Sequence, residues 1–395
     1  AATINWSQHH QTGVVMSPRT SHVAGIALFF LSLTAQAPAA ADEFPAVSFA
    51  KLDGHVGAQL SPGGQQLAFF HPVDGRLSLF VHDFASGDVV RIPPGEELEY
   101  SWLRWVDDNT IVISMTYTAA RQLVLTVETR LMSLDLRKNE MISIVKPAET
   151  QAHHDSRVTK RALPPPQIQD DVIAWLPDDP AHILVELDED ADGASEVRQI
   201  DVATGEYEIV REDARGVQGW MADASGEIRF GYGFKGSKFE ARLSNTDGSW
   251  EILTKADWYE DGWFPEAFTD DPSRIYVSGP GEFGTRELRI LNIDDGTFGE
   301  TVFSDEAFDL EGLVSHPVTG RPAGVSYIGH RREYRYFDEQ LSSLQASLDN
   351  ILPDSTNKIA SMSADARRLL IESSSDTNPG VLYILDLDLK TMEMY

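Results

Sequence analysis

The sequence contains no cysteine among its 395 residues, which excludes disulfide bonds, thiolate nucleophiles and thiolate-bound metals. Positive charge is scarce as well, because 32 Lys and Arg stand against 62 Asp and Glu and leave a net charge of -30. This charge repels nucleic acid and anionic membrane surfaces, so we expect neither as a partner of the mature chain. No cofactor is predicted.

Long hydrophobic runs are also missing, and the most apolar segment lies near the N-terminus. From Met16 the chain has a basic stretch, an apolar run over 23–33 and small residues at Ala-x-Ala spacing up to Ala41. About eleven apolar residues are too few for a bilayer that needs about 20, and this order of regions is typical of a secretory signal peptide. We therefore predict a leader or artefact over 1–15, a signal peptide over 16–41, and a periplasmic or secreted mature chain.

Beyond Asp42 the chain consists of short runs typical of β-strands, separated by Gly, Pro, Asp and Asn. Two turn motifs recur seven times each, the first beginning at Leu60-Ser61-Pro62 and the second at Asp83. A period of about 40 to 50 residues with four short strands is typical of a β-propeller. The sequence thus predicts an all-β, seven-bladed β-propeller over 42–395. The predicted blades begin near Val56, Tyr100, Asp171, Val217, Trp263, Leu310 and Lys358.

Two segments interrupt this repeat. The stretch 146–169 is polar, Pro-rich and locally basic, and we expect an exposed loop there between blades two and three. In 337–352, apolar residues recur at helical spacing, which predicts one additional amphipathic helix that packs on the outside of the propeller. Its expected apolar positions are Phe337, Leu341, Leu344, Leu348 and Ile351.

The chain lacks the motif of a serine-hydrolase nucleophile. A nucleophile elbow requires Gly-x-Ser-x-Gly between a strand and a helix, and the nearest match, at 324–328, lacks the second glycine and continues into a strand. The glycine-rich stretch 231–236 lies between strands without a following helix and indicates a hairpin rather than a phosphate loop. We predict no catalytic residue in this chain.

An acidic loop in blade three is the first candidate site. Asp188, Asp190 and Asp192 occupy positions 1, 3 and 5 of an EF-hand-like calcium loop, with glycine at position 6 and Glu196 at position 9. Position 12 is Gln199, so the bidentate glutamate is missing. The alternative interpretation is a solvated hairpin loop.

A second candidate combines carboxylates with aromatic residues at the junction of blades four and five, in the segment 257–261. If it faced the channel, Glu260 and Asp261 would be able to hold a cationic amine such as a peptide N-terminus. The alternative is an acidic surface turn, followed by Trp263 and Phe264 packing in the next blade.

Several of these features together resemble a known family. They are the Leu-Ser-Pro-Gly-Gly turn at 60–64, Trp-Leu-Pro-Asp-Asp-Pro at 175–180 leading into the apolar run 183–185, and the segment 363–383. Over roughly residues 44–395 the chain resembles the N-terminal propeller of a secreted bacterial serine peptidase of the prolyl oligopeptidase family, in its acylaminoacyl-peptidase and dipeptidyl-peptidase branch.

This resemblance implies a function. In that family the propeller is non-catalytic and precedes an α/β-hydrolase domain with catalytic Ser, Asp and His. The whole peptidase acts on short peptides, and the propeller restricts access to its active site. We would then expect this chain to be a fragment cut at both ends, with the hydrolase domain beyond Tyr395. The segment 257–261 faintly resembles the acidic motif with which dipeptidyl peptidases hold the substrate amine, which would assign substrate binding to Glu260 and Asp261.

Two other functions stay open at this point. One is a self-contained periplasmic propeller that serves as a protein-interaction module. The other is a propeller enzyme such as a lactonase, with calcium in the central channel, which would require acidic residues from several blades to converge.

Overall fold

The computed structural model describes residues 54–121, 123–146, 165–189, 193–214, 216–235, 238–244, 250–252 and 262–395. The predicted leader and signal peptide lie outside the described residues. Most of the predicted loop between blades two and three, 147–164, also lies outside them. Within the described ranges, no helix has the length and apolarity needed to cross a membrane.

The described strands form seven antiparallel sheets, as the turn repeat predicted. Blade one contains β1 (Val56–Leu60), β2 (Gln66–Val73), β3 (Arg76–Asp83) and β4 (Val89–Ile92), and blade two contains β5 (Glu99–Asp107), β6 (Thr110–Arg121), β7 (Val124–Asp135) and β8 (Glu140–Ser143). Blade three contains β9 (Asp171–Trp175), β10 (His182–Leu187), β11 (Glu196–Asp201) and β12 (Tyr207–Arg211), and blade four contains β13 (Gly219–Ala222), β14 (Ile228–Lys235), β15 (Lys238–Ser244) and β16 (Trp250–Ile252).

The last three blades follow the same order with one variation. Blade five contains β17 (Phe264–Phe268), β18 (Arg274–Pro280), β19 (Arg286–Asn292) and β20 (Thr297–Phe303). Blade six has three strands, β21 (Leu310–Ser315), β22 (Pro322–Ile328) and β23 (Arg332–Tyr336), followed by helix α1 (Glu339–Ile351). Blade seven contains β24 (Thr356–Met362), β25 (Arg368–Ser374), β26 (Val381–Asp386) and β27 (Thr391–Met394).

The two recurring motifs form the turns at one end of the ring. The first joins the first and second strands, as where the Ser61 N–H donates to the Gln66 carbonyl at 2.9 Å. The second joins the third and fourth strands, where Asp83 Oδ1 accepts from the N–H groups of Ala85 (3.0 Å) and Ser86 (2.9 Å). Because every sheet is an antiparallel meander, both turns of a blade lie at the same end, which we call the turn face.

Hydrophobic residues pack between neighbouring sheets and form the core. Between blades one and two, Phe70 and Ile113 are fully buried, and the rings of Phe70 and Tyr100 stack with centroids 5.0 Å apart. Similar clusters fill the other junctions, including Phe230 with Ile275 between blades four and five. The core is therefore a ring of inter-blade layers around a central channel.

Blades one and seven close the ring without sharing a strand, since each sheet is built from consecutive strands. The Leu60 N–H donates to Ser361 Oγ at 3.0 Å, and the Ala364 N–H donates to the Pro62 carbonyl at 2.7 Å. Arg368 Nη1 donates to the Gly64 carbonyl at 2.9 Å. Closure thus depends on a few hydrogen bonds of main-chain and side-chain groups and on packing between two complete sheets.

The predicted helix forms, but its buried face differs from the expected one. Leu341 and Leu348 are buried as predicted, whereas Ile351 is 60% exposed and Gln345 is buried. Gln345 Nε2 donates to the Asn357 carbonyl at 2.9 Å, so an amide occupies a position on the packed face. Ile351 lies in the last turn of the helix, and the prediction that it packs on the propeller was wrong.

Candidate functional site: the central channel

The innermost strands of the blades surround a channel with several adjoining cavities, of which two are lined by the most blades. The larger, of about 570 Å³, is lined by blades two to six, and the smaller, of about 230 Å³, is lined by blades one, two, three, six and seven. The smaller cavity lies at the turn face, because residues of the turns after β1, β5, β9, β21 and β24 contribute to its wall. Arg104 borders both cavities.

Towards the opposite face, carboxylates from blades three and five lie close enough to the Tyr232 side chain to affect it electrostatically. Asp171 pairs with Glu186 across β9 and β10, and Glu266 comes from β17. Burial and these three negative charges raise the pKa of Tyr232 to about 12. We call Asp171, Glu186 and Glu266 the acidic cluster.

Within the acidic cluster, Glu186 is the most deeply buried member, with 7% of its surface exposed. It accepts a hydrogen bond from the Trp220 N–H at 2.8 Å. Burial, reinforced by the charge of Asp171, raises its pKa to about 7. Burial also raises the pKa of Asp171, and the neighbouring Asp170 adds to this effect. Both carboxyl groups therefore have a pKa above the ordinary value for their residue type.

The partners of the acidic groups differ. Asp170 Oδ2 accepts from Ser114 Oγ at 2.6 Å. Glu266 forms an ion pair with Arg286 at 2.8 Å. Among the described residues, Asp171 and Glu186 have no cationic partner, so two carboxylates near this end of the channel are uncompensated when they are ionised.

At the turn-face end, Arg104 on β5 extends across the channel. Its guanidinium carbon lies 4.5 Å from the ring centroid of Trp175 on β9. A Cβ atom at Gly320, in the turn after β21, would lie 2.6 Å from Arg104 Nη2, so the guanidinium lies directly against this glycine. Burial lowers the pKa of Arg104 to about 10, which leaves it protonated at neutral pH.

A second arginine borders the larger cavity near this end. Arg321 Nη2 donates to the Ala224 carbonyl at 3.1 Å, and Arg321 Nη1 lies 3.7 Å from Asp270. The channel thus has Asp171 and Glu186 near one face, and at the turn face it has Arg104 together with the Arg321–Asp270 pair. The sequence analysis predicted none of these channel residues. For Arg104, the available signal was one arginine between two tryptophans in a strand.

The predicted calcium loop is only partly described. Asp188 Oδ2 accepts from the Gly193 N–H at 3.1 Å, and Glu196 Oε1 binds the fully buried Arg198 at 2.5 Å. Asp190 and Asp192 lie outside the described residues, so calcium binding stays a prediction. Across the described ranges, no group of three or more His, Asp or Glu side chains is arranged to hold a metal ion.

The other sequence candidates lie elsewhere. Glu260 and Asp261 belong to the segment that joins β16 to β17 and lie outside the described residues, so amine binding by them also stays a prediction. The segment 324–328 forms part of β22, and Ser326 within it is buried at 8% exposure. This placement is unlike that of an elbow that presents a nucleophile to substrate.

Comparison with known proteins finds similarity in sequence and in fold. No family model matches the sequence. A dipeptidyl aminopeptidase BIII from Pseudoxanthomonas mexicana is 21% identical over 244 residues, which cover 59% of this chain and 34% of that protein. Structures from a study of two prolyl endopeptidases (TM-score 0.50, 13% identity) cover 89% of this chain and 51% of theirs. A puromycin-hydrolysing peptidase of Mycobacterium tuberculosis (TM-score 0.50, 13% identity) covers 87% and 53%.

These likenesses define the class of fold. The structural neighbours are propeller-containing peptidases of the prolyl oligopeptidase family, and the curated relative is a dipeptidyl aminopeptidase, as the sequence resemblance predicted. The chain spans about half the length of the solved structures that it matches. What it shares with them is the seven-bladed propeller.

Proposed function

We propose that this chain is the propeller domain of a periplasmic or secreted peptidase, and that it controls the access of short peptides to a catalytic hydrolase domain. The observation that carries the proposal is the seven-bladed ring around an open channel, which matches the peptidase structures over almost the whole described propeller. A channel between rigid sheets admits an extended peptide and excludes a folded protein by size.

The charge of the channel supports a preference among peptides. Asp171 and Glu186 lack a cationic partner in the described part of the chain, and a protonated amine near them would supply the missing positive charge. Peptides with a free N-terminus should therefore be favoured over N-acetylated ones at this end of the channel. Because Glu186 has its pKa at about 7, this preference should increase as the pH rises from 6 to 8.

Two measurements test the proposal. The full-length protein encoded by the gene should cleave dipeptidyl and short-peptide chromogenic substrates, and it should leave the same sequence intact within a loop of a folded protein. A full-length protein without peptidase activity would refute the assignment. On the present chain, Asp171→Asn should weaken binding of a free-amine peptide, whereas Asp365→Asn, on the exposed turn of blade seven, should not.

One observation favours the alternative of a protein-interaction module. The β6–β7 hairpin of blade two ends in exposed apolar residues, with Leu123, Leu125 and Val127 exposed by 102%, 76% and 60%. Exposed apolar patches mark interaction sites on soluble proteins. Replacing Leu125 and Val127 with serine should abolish partner capture if this function holds, and it should leave peptide cleavage unchanged under the first proposal.

A further inference from the structure

Arg104 is a cation at the centre of the ring that has no counter-charge in the described part of the chain. Among the described residues, its guanidinium forms no ion pair and no hydrogen bond, and it contacts the Trp175 ring and Gly320. It is mostly buried, and burial alone accounts for its lowered pKa. A buried guanidinium normally has a carboxylate or several acceptors as partners, because its desolvation is costly. The missing partner points to a ligand.

The carboxylates that line the larger cavity do not fill this role, since each has other partners. Glu266 pairs with Arg286 at 2.8 Å, and Asp270 lies 3.7 Å from Arg321. Asp223 Oδ1 accepts from the N–H groups of its own turn, including that of Ser225 at 2.8 Å.

The smaller cavity provides a site for the missing partner. No carboxylate of the described residues lines it, and Arg104 is the permanent charge in its wall. His182, at the rim, binds Asp179 at 2.8 Å. Apolar groups form most of the remaining wall, including Pro62, Leu176, Pro177, Val318 and Met362. A volume of about 230 Å³ suits a small ligand rather than a folded partner.

We infer that the turn-face cavity binds a small organic carboxylate that carries an apolar group, with Arg104 as the anchor. The planar guanidinium offers paired N–H donors that match a carboxylate, and Trp175 holds the guanidinium by its face so that its edge can face the ligand. The apolar wall accepts the group attached to the carboxylate. A peptide C-terminus with an apolar last residue and a free aliphatic acid share this chemistry. The inference concerns this chain by itself and does not depend on the peptidase assignment.

Calorimetric titration of the unaltered chain tests the ligand class without any variant. N-acetyl-leucine should bind saturably, and N-acetyl-leucinamide, which keeps the apolar group and loses the charge, should bind about 10- to 100-fold more weakly. Hexanoate is measured alongside N-acetyl-leucine. Tighter binding of hexanoate indicates a free aliphatic acid as the ligand, and tighter binding of N-acetyl-leucine indicates a peptide C-terminus. Equal binding of the acid and the amide would overturn the inference. Inorganic phosphate that bound as tightly as N-acetyl-leucine would overturn the assignment to an organic ligand.

Variants then test the anchor. Arg104→Gln should weaken N-acetyl-leucine binding by about tenfold or more, and Arg104→Lys, which keeps the charge but not the paired donors, should fall in between. Arg367→Gln is the matched control, because it removes one positive charge from the exposed turn of blade seven, where Arg367 pairs with Asp388 at 3.1 Å. If Arg104→Gln does not fold, the lysine variant and the comparison of N-acetyl-leucine with N-acetyl-leucinamide still test whether Arg104 anchors a carboxylate. An equal loss of binding in Arg367→Gln would contradict a local anchor.

Discussion

Glu186 makes the stability of this propeller depend on pH near neutrality. Its side chain is 7% exposed, it lies opposite Asp171, and no cation among the described residues offsets its charge. Ionising it in the folded protein therefore costs more than ionising it in the unfolded chain. The pKa rises from 4.5 to about 7 on folding, which corresponds to about 3 kcal/mol at roughly 1.4 kcal/mol per pH unit.

The direction of the effect follows from linkage. Because the folded pKa lies above the unfolded one, the folded state binds more protons between pH 4.5 and 7, so the free energy of unfolding falls as the pH rises through this range. The contribution is fully present below pH 4.5 and is lost above about pH 7. Glu186→Gln should remove this slope and, at pH 8, should be up to about 3 kcal/mol more stable than the unaltered chain. The glutamine carbonyl can still accept the Trp220 N–H that Glu186 accepts at 2.8 Å.

Urea unfolding, followed by tryptophan fluorescence at pH 5, 6, 7 and 8, measures the effect. Glu208→Gln is the matched control, because Glu208 is exposed on the outermost strand of the same blade. That variant should follow the pH dependence of the unaltered chain. The reasoning would be refuted if Glu186→Gln kept the same slope between pH 5 and 8.

Two further predictions concern blades two and six. Glu128, on β7, is 3% exposed, and its hydrogen bond to Arg121 is the main cause that holds its pKa at about 2. Glu128→Gln should thus lower the free energy of unfolding by about 2–3 kcal/mol at pH 7. In urea unfolding at lower pH, this difference between the variant and the unaltered chain should shrink between pH 4.5 and 2. A difference that stayed constant with pH would contradict the prediction. A Cβ atom at Gly324 would lie 2.6 Å from the Arg335 carbonyl oxygen across β22 and β23. Gly324→Ala should therefore lower the melting temperature by several degrees. Gly312→Ala is the control and should not lower it, because a Cβ atom at Gly312 meets nothing within 4 Å.

The architecture was predictable from the sequence because its signals are local. Each blade repeats a Ser, Asp or Gly turn whose geometry is determined within about five residues. The observed first strands begin at Gly219, Phe264 and Thr356, within two residues of the predicted starts in blades four, five and seven. Helix α1 was predictable for the same reason, since helical spacing is a local pattern. Its exposed Ile351 was not, because burial depends on where blade seven lies.

The chemistry of the channel depended on residues that are distant in sequence. The Arg104 guanidinium packs against Trp175 in blade three and Gly320 in blade six. None of these residues is unusual in its own segment. Glu186 looks like one more acidic strand residue until burial by neighbouring blades raises its pKa. Composition, turns and periodicity by themselves determined the seven blades and the order of their strands. Only closure of the ring brought side chains from different blades together around one axis, where burial raises the pKa of Glu186 near one face and leaves Arg104 without a carboxylate partner among the described residues near the other.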